Sequence, residues 1–146
     1  MRQTRTRFVY GLAGATAVAA SLVIFAGQAH AQDDFGGRWS TNQGDLRIHQ
    51  DGDRAYGAYT IYNGHLEGHT EGDRLSGIWW QTSANQRCTD ERHGTHFWGR
   101  FRFHLSDNDE SFRGRWSYCD EEPGEGGGGD WTGVRQYYRD RDHDHM

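Results

Sequence analysis

The chain has 146 residues, enough for one domain, and a formal charge of −5 in which every basic side chain is an arginine. An acidic chain without a basic block is a poor partner for nucleic acid or an anionic membrane. Its 21 glycines also argue against helices, because a glycine in a helix interior costs about 1 kcal/mol.

Residues 1–31 read as a secretory signal peptide. Arg2, Arg5 and Arg7 make the positive start, an apolar run follows from Phe8 to Phe25, and Ala29-His30-Ala31 has the A-x-A form of a cleavage site. The rival reading is an uncleaved anchor, since the run is nearly long enough to span a bilayer; the small residues before Gln32 favour cleavage. No cysteine follows the site, which argues against a lipoprotein. Cleavage removes the three arginines and takes the charge from −5 to −8. The expected location is secreted or periplasmic, with no membrane contact once the signal is gone. In that setting Cys88 and Cys119 are expected to form a disulfide rather than remain two thiols. The loop it closes implies about 3–4 kcal/mol in the chain-entropy model.

Eight strands are predicted in order, with no helix. The first is Phe35–Thr41, turned by Asn42-Gln43-Gly44; the second, Asp45–Gln50, alternates Leu46 and Ile48 with polar neighbours. Asp51-Gly52-Asp53 is a hairpin signal, leading to the third strand, Arg54–Tyr62. Asn63-Gly64 gives the next turn, then come His65–Thr70, the turn at Gly72-Asp73, and Arg74–Thr82. A long loop, Ser83–Gly94, carries Cys88. The sixth strand is Thr95–Leu105, with Phe97, Phe101, Phe103 and Leu105 on one face and Arg100, Arg102 and His104 on the other. Ser106–Glu110 is a polar turn, and Ser111–Tyr118 is the seventh strand. The acidic, glycine-rich loop Cys119–Asp130 is predicted to be mobile. Trp131–Tyr138 is the eighth strand, and Arg139–Met146 is expected to be a disordered charged tail.

One unit recurs through these strands: apolar, any, glycine, any, aromatic. It reads Leu75-Ser76-Gly77-Ile78-Trp79, and again Phe35-Gly36-Gly37-Arg38-Trp39, Ala55-Tyr56-Gly57-Ala58-Tyr59, Phe97-Trp98-Gly99-Arg100-Phe101 and Phe112-Arg113-Gly114-Arg115-Trp116. Positions two apart share a strand face, so each unit puts two bulky groups and a glycine on one side. Short hairpins between consecutive strands make an antiparallel meander, and eight such strands with one apolar face close into an up-and-down β-barrel. Glycine then supplies strand coiling and interior room. A two-sheet sandwich is the alternative. In the barrel both long loops gather at one rim, which brings Cys88 near Cys119 and marks that rim as the open mouth.

Gly37-x-Trp39 at the start and Arg135 in the last strand resemble the calycins, the superfamily of lipocalins, fatty-acid-binding proteins and avidins. The resemblance implies that Arg135 stacks on Trp39 at the closed end, contributing about 0.5–2 kcal/mol. Within that group the pattern is most similar to avidins: Gly37-x-Trp39, Gly44, Gly57-x-Tyr59 and Leu75-x-Gly77-x-Trp79 follow the spacing of their first strands. Of the four biotin-binding positions that this spacing carries over, Tyr59 matches, whereas Thr41, Asp45 and Ile61 stand where avidins have asparagine, serine and serine. The resemblance therefore implies the barrel rather than biotin.

Inward positions near the mouth are expected to include Tyr59, Trp79, Gln81, Phe97, Trp116, Tyr118 and Trp131. An aromatic box with a few polar groups suits a flat apolar ring, a sugar or a lipid tail; the bland reading is that these rings fill a small barrel. The expected ligand set is Trp79, Trp116, Tyr118 and Trp131 for stacking, with Thr41, Tyr59 and Gln81 for orientation. His65, Glu67 and His69 fall on an outer, solvated face. His93 and His96 lie near Cys88, where a disulfide is favoured over a metal. Neither a G-x-S-x-G, an H-E-x-x-H nor a P-loop is present, and the mouth carboxylates Asp45, Asp120, Glu121, Glu122 and Asp130 read as solvated. The functional expectation is an exported, non-catalytic binding protein for a small, partly apolar ligand, without cofactor or metal. The alternatives are a secreted interaction or inhibitor domain that uses the long loops, and, lower, a barrel enzyme.

Overall fold

The structure, a computed structural model, describes residues 34–137. The expected signal segment, residues 1–31, and the expected charged tail, residues 139–146, lie outside the described residues. Eight strands run in order: β1 Gly37–Thr41, β2 Gly44–Asp51, β3 Arg54–Tyr59, β4 Gly64–Glu71, β5 Arg74–Gln81, β6 Phe97–Leu105, β7 Ser111–Trp116 and β8 Gly129–Gln136. Each pairs antiparallel with the next, and β1 pairs with β8, so the sheet closes as the predicted up-and-down barrel and not as a sandwich. Tight turns at Gly52 and Gly72 join β2 to β3 and β4 to β5; both glycines sit in the left-handed region, with φ of 61° and 58°, which a side chain disfavours.

The recurring unit works through register. Trp79 of β5 stands opposite Gly99 of β6, and Phe103 of β6 stands opposite Gly114 of β7. In β7 and β8, Phe112 faces Gly133. Each glycine leaves its space to the ring beside it: a Cβ on Gly99 would stand 2.8 Å from the Trp79 ring. The rings then fill the lower and middle barrel. Phe35, Trp39, Leu75, Phe101, Phe103 and Phe112 are all essentially inaccessible.

Arg135 and Trp39 meet at the closed end as expected. The guanidinium carbon lies 4.2 Å from the Trp39 ring centroid. The Trp39 indole donates to Phe35 O at 2.8 Å, which turns Phe35 into the barrel. This is why β1 begins at Gly37 and not at the expected Phe35. The closed meander with this stack is consistent with a calycin-like fold.

Other differences have local causes. β3 stops at Tyr59 rather than Tyr62, because Ile61–Asn63 wind into one 3-10 turn in which Tyr62 and Asn63 adopt φ of 46° and 52°. β7 ends at Trp116 rather than Tyr118, since its pairing with β8 ends at Gly129; Ser117 and Cys119 still donate to Arg100 O and Trp98 O of β6, both at 2.9 Å. β8 begins two residues early, at Gly129. β6 starts at Phe97 rather than Thr95, because Arg92 and Thr95 pair with each other instead. The segment 119–128 carries turns and an ion pair: Gly124 N donates to Trp116 O at 3.0 Å and Glu122 accepts from Arg100 at 2.7 Å. Among the described residues no helix is long and apolar enough to cross a membrane.

Candidate functional site at the open end

The meander sets Tyr59, Gln81 and Trp116 at the upper ends of β3, β5 and β7. Together with Trp79, Tyr118 and Trp131 they line a cavity of about 160 Å³. Six of the seven expected ligand residues therefore share one wall. Thr41 does not: its hydroxyl donates to Gly44 O at 2.5 Å and accepts from the Trp131 indole at 3.3 Å, closing the β1–β2 turn and holding Trp131. Phe97 faces Gln81 in register but stands outside the cavity lining.

The rings fix one another edge to face. Trp116 and Tyr118 centroids are 4.9 Å apart at 89°, Trp79 and Trp116 are 5.8 Å apart at 87°, and Tyr59 and Trp131 are 5.0 Å apart at 77°. Such pairs contribute about 0.5–1.5 kcal/mol beyond their buried area. Trp79 is anchored further by its indole N–H, which donates to Ser117 O at 3.1 Å. The Trp116 Nε1, by contrast, is buried without a hydrogen-bond partner.

Polar character comes from the Tyr59–Gln81 pair, with Gln43 and Asn85 nearer the rim. Gln81 Nε2 donates to the Tyr59 hydroxyl at 2.7 Å. With that bond made, the Tyr59 O–H and the second Gln81 N–H remain as donors and Gln81 Oε1 remains as an acceptor. Burial pushes the Tyr59 hydroxyl well above its usual pKa, and the Gln81 bond only partly opposes this. It stays neutral, and so remains a hydrogen-bond donor.

Rim residues complete the mouth. Ile61 and Tyr62 approach from the 3-10 turn, Ala84 and Asn85 from the start of the long loop. Sequence alternation did not single them out, because they lie outside regular strands. The rest of that loop leaves the mouth and folds down the outer wall. His93 stacks on Trp80 at 3.8 Å and 9°, and His65 stacks on the same ring at 5.5 Å. His93 Nε2 is 3.1 Å from Glu67. The outer face of β4 is thus partly covered by the loop rather than simply solvated.

The chain matches no family model, no curated protein and no solved structure.

The Cys88–Cys119 disulfide is present, with Cα atoms 5.6 Å apart, and fits an oxidising compartment. It lies outside β6, not in the cavity lining: Cys88 N donates to His96 O at 2.7 Å and Cys119 N to Trp98 O at 2.9 Å. Above it Trp98 is covered by Arg92, whose guanidinium carbon is 4.5 Å from the ring centroid. Among the described residues no group of three or more His, Cys, Asp or Glu is placed to hold a metal. The rim carboxylates Asp120, Glu122 and Asp130 pair with Arg92, Arg100 and Arg115 outside the cavity.

Proposed function

We propose that the chain is an exported, non-catalytic binding protein of avidin- or lipocalin-like architecture, holding a small, partly apolar ligand at the barrel mouth. The observation that carries this reading is the cavity of about 160 Å³ walled by five mutually braced rings and one polar pair. That volume suits a single ring; a dry protein cavity of about 150 Å³ takes a benzene-sized guest. Trp79, Trp116, Tyr118 and Trp131 would contact the ring faces and edges, and the two spare donors and the acceptor of Tyr59 and Gln81 would select a hydroxyl or amide on it. Any larger body of the ligand would project past Tyr62 and Asn85.

Tryptophan fluorescence tests this with phenol, indole and benzene as probes. Saturable one-to-one quenching is expected, with Gln81→Leu weakening phenol about tenfold and benzene hardly at all. Linear, unsaturated quenching by all three would remove the reading.

The cavity's size also favours a second reading. Whole-ligand pockets occupy about 300–1,000 Å³, so the mouth alone is small for one. In that reading the chain is an interaction or inhibitor domain whose loops, 83–94 and 119–128, contact another protein. Replacing residues 84–87 and 120–127 would then abolish capture of that partner while leaving the melting curve nearly unchanged.

A further inference from the structure

The overall charge of −5 conceals a basic region that only the β6–β7 register assembles. On the outer face Arg102 stands directly opposite Arg115, and His104 opposite Arg113. Like charges in directly opposed positions destabilise an antiparallel pair, so this arrangement calls for a counter-charge. At the upper end the protein supplies one: Glu122 accepts from Arg100 at 2.7 Å and lies 3.7 Å from Arg102. At Arg115 and Arg113 it supplies less. Arg115 has only Asp130 at 3.8 Å, both well exposed. Arg113 has no carboxylate within 4.0 Å among the described residues. The Arg102 Nε is buried without an acceptor.

These side chains border an outer groove of about 410 Å³, lined by Arg102, His104, Arg113, Arg115, Asp130 and Thr132, with Gly114 and Pro123 completing it. Three guanidiniums face one carboxylate there, a local charge of +2 from three minus one; counting Glu122 beside Arg102 leaves +1. The groove is on the opposite side of the sheet from the mouth rings, and its volume falls in the range of small-ligand sites.

We propose that this groove binds a phosphate- or sulfate-bearing ligand. The guanidinium fork matches oxyanions in a bidentate way that an ammonium does not. A tetrahedral oxyanion has enough terminal oxygens to serve Arg113 and Arg115 together, and the Thr132 hydroxyl adds a neutral donor. Glu122 on Arg100 and Arg102 shows the same ladder gripping an oxyanion one step higher. The ligand replaces the missing counter-charge, so binding relieves the repulsion between the opposed cations.

Calorimetric titration of the full chain, disulfide intact and at low ionic strength, tests the proposal with inorganic pyrophosphate and with sulfate. One saturable site is expected. Arg113→Gln and Arg115→Gln should each weaken it about tenfold, without lowering the melting temperature. Arg113→Lys, which keeps the charge and loses the fork, should weaken it several-fold. Arg47→Gln, which removes a charge from β2 elsewhere on the outer wall, should leave it within about twofold. Tighter pyrophosphate than sulfate assigns the groove to phosphate esters, and the reverse order assigns it to sulfate esters. Absence of saturable heat with both ions would overturn the proposal, as would an Arg47→Gln loss equal to that of Arg113→Gln, which would mean a diffuse field and no site.

Discussion

Arg135 caps Trp39: its guanidinium carbon lies 4.2 Å from the ring centroid while its nitrogens donate to Asp109 O, Gly36 O and Asp34 O. One side chain thereby ties the last strand, the β6–β7 turn and the segment before β1. Arg135→Ala should lower the unfolding free energy by about 2–4 kcal/mol, from lost charge-assisted hydrogen bonds and the cation–π contact. Arg135→Lys should recover only part of this, because an ammonium cannot fork between the three carbonyls. Urea unfolding measures it; a loss below about 1 kcal/mol for the alanine variant would mean that Phe35 and Trp39 close the barrel unaided.

The interior glycines predict a steric effect. A Cβ on Gly99 would strike Ser117 O and stand 2.8 Å from the Trp79 ring. Because the obstacle includes backbone, the neighbour cannot simply turn aside. Gly99→Ala should destabilise by about 3 kcal/mol or more and disturb the cavity wall through Trp79. Near-native stability by thermal melting would show that the barrel can widen at this level.

Cys88 and Cys119 are 31 residues apart in sequence. Their bond should contribute about 3–4 kcal/mol by restricting the unfolded chain. The Cys88→Ser, Cys119→Ser double variant should lose that much unfolding free energy, and hydrogen exchange should rise first in 84–96 and 118–128. Equal exchange in both proteins would mean that the outer-wall contacts of Trp80 and Trp98 hold the loops without it.

Tyr59 makes stability fall at alkaline pH. Its folded pKa is raised above the ordinary 10.0 by burial. Below pH 10 both states keep the proton and the contribution is complete. Above pH 10 the unfolded chain releases its proton first, so stability declines by up to about 1.4 kcal/mol per pH unit until the folded hydroxyl ionises. Tyr59→Phe should remove that share of the slope between pH 10 and 11. An unchanged slope would mean that Tyr59 ionises normally.

Much of the barrel was readable because strand faces and register follow from spacing alone. The glycine units put Trp79, Phe101 and Trp116 inward, the turn residues set the meander, and the meander brought the two cysteine loops to one rim. Alternation also turns Trp80 and Trp98 outward, but it says nothing of what covers them; the fold-back of His93 and Arg92 onto those rings depends on a loop path with no periodicity. The role of Thr41 was missed for a similar reason. A hydroxyl at the mouth is as able to hold a turn carbonyl and an indole as a ligand, and Gly44 and Trp131 claim it first. Cavity size was beyond reach, being a small difference between a barrel's volume and that of the rings inside it. The basic groove was not legible because it depends on the β6–β7 register that sets Arg102 opposite Arg115, and the totals are acidic.

Native mass spectrometry of the chain, purified without reducing agent, tests the mouth-binding reading most directly. The account predicts an intact disulfide, two mass units below the reduced chain, and a reproducible extra mass that Trp116→Ala removes while the protein stays folded. An extra mass retained by Trp116→Ala, or a bare chain that also leaves phenol and indole unbound at saturating concentration, would contradict it and turn attention to protein partners of the two long loops.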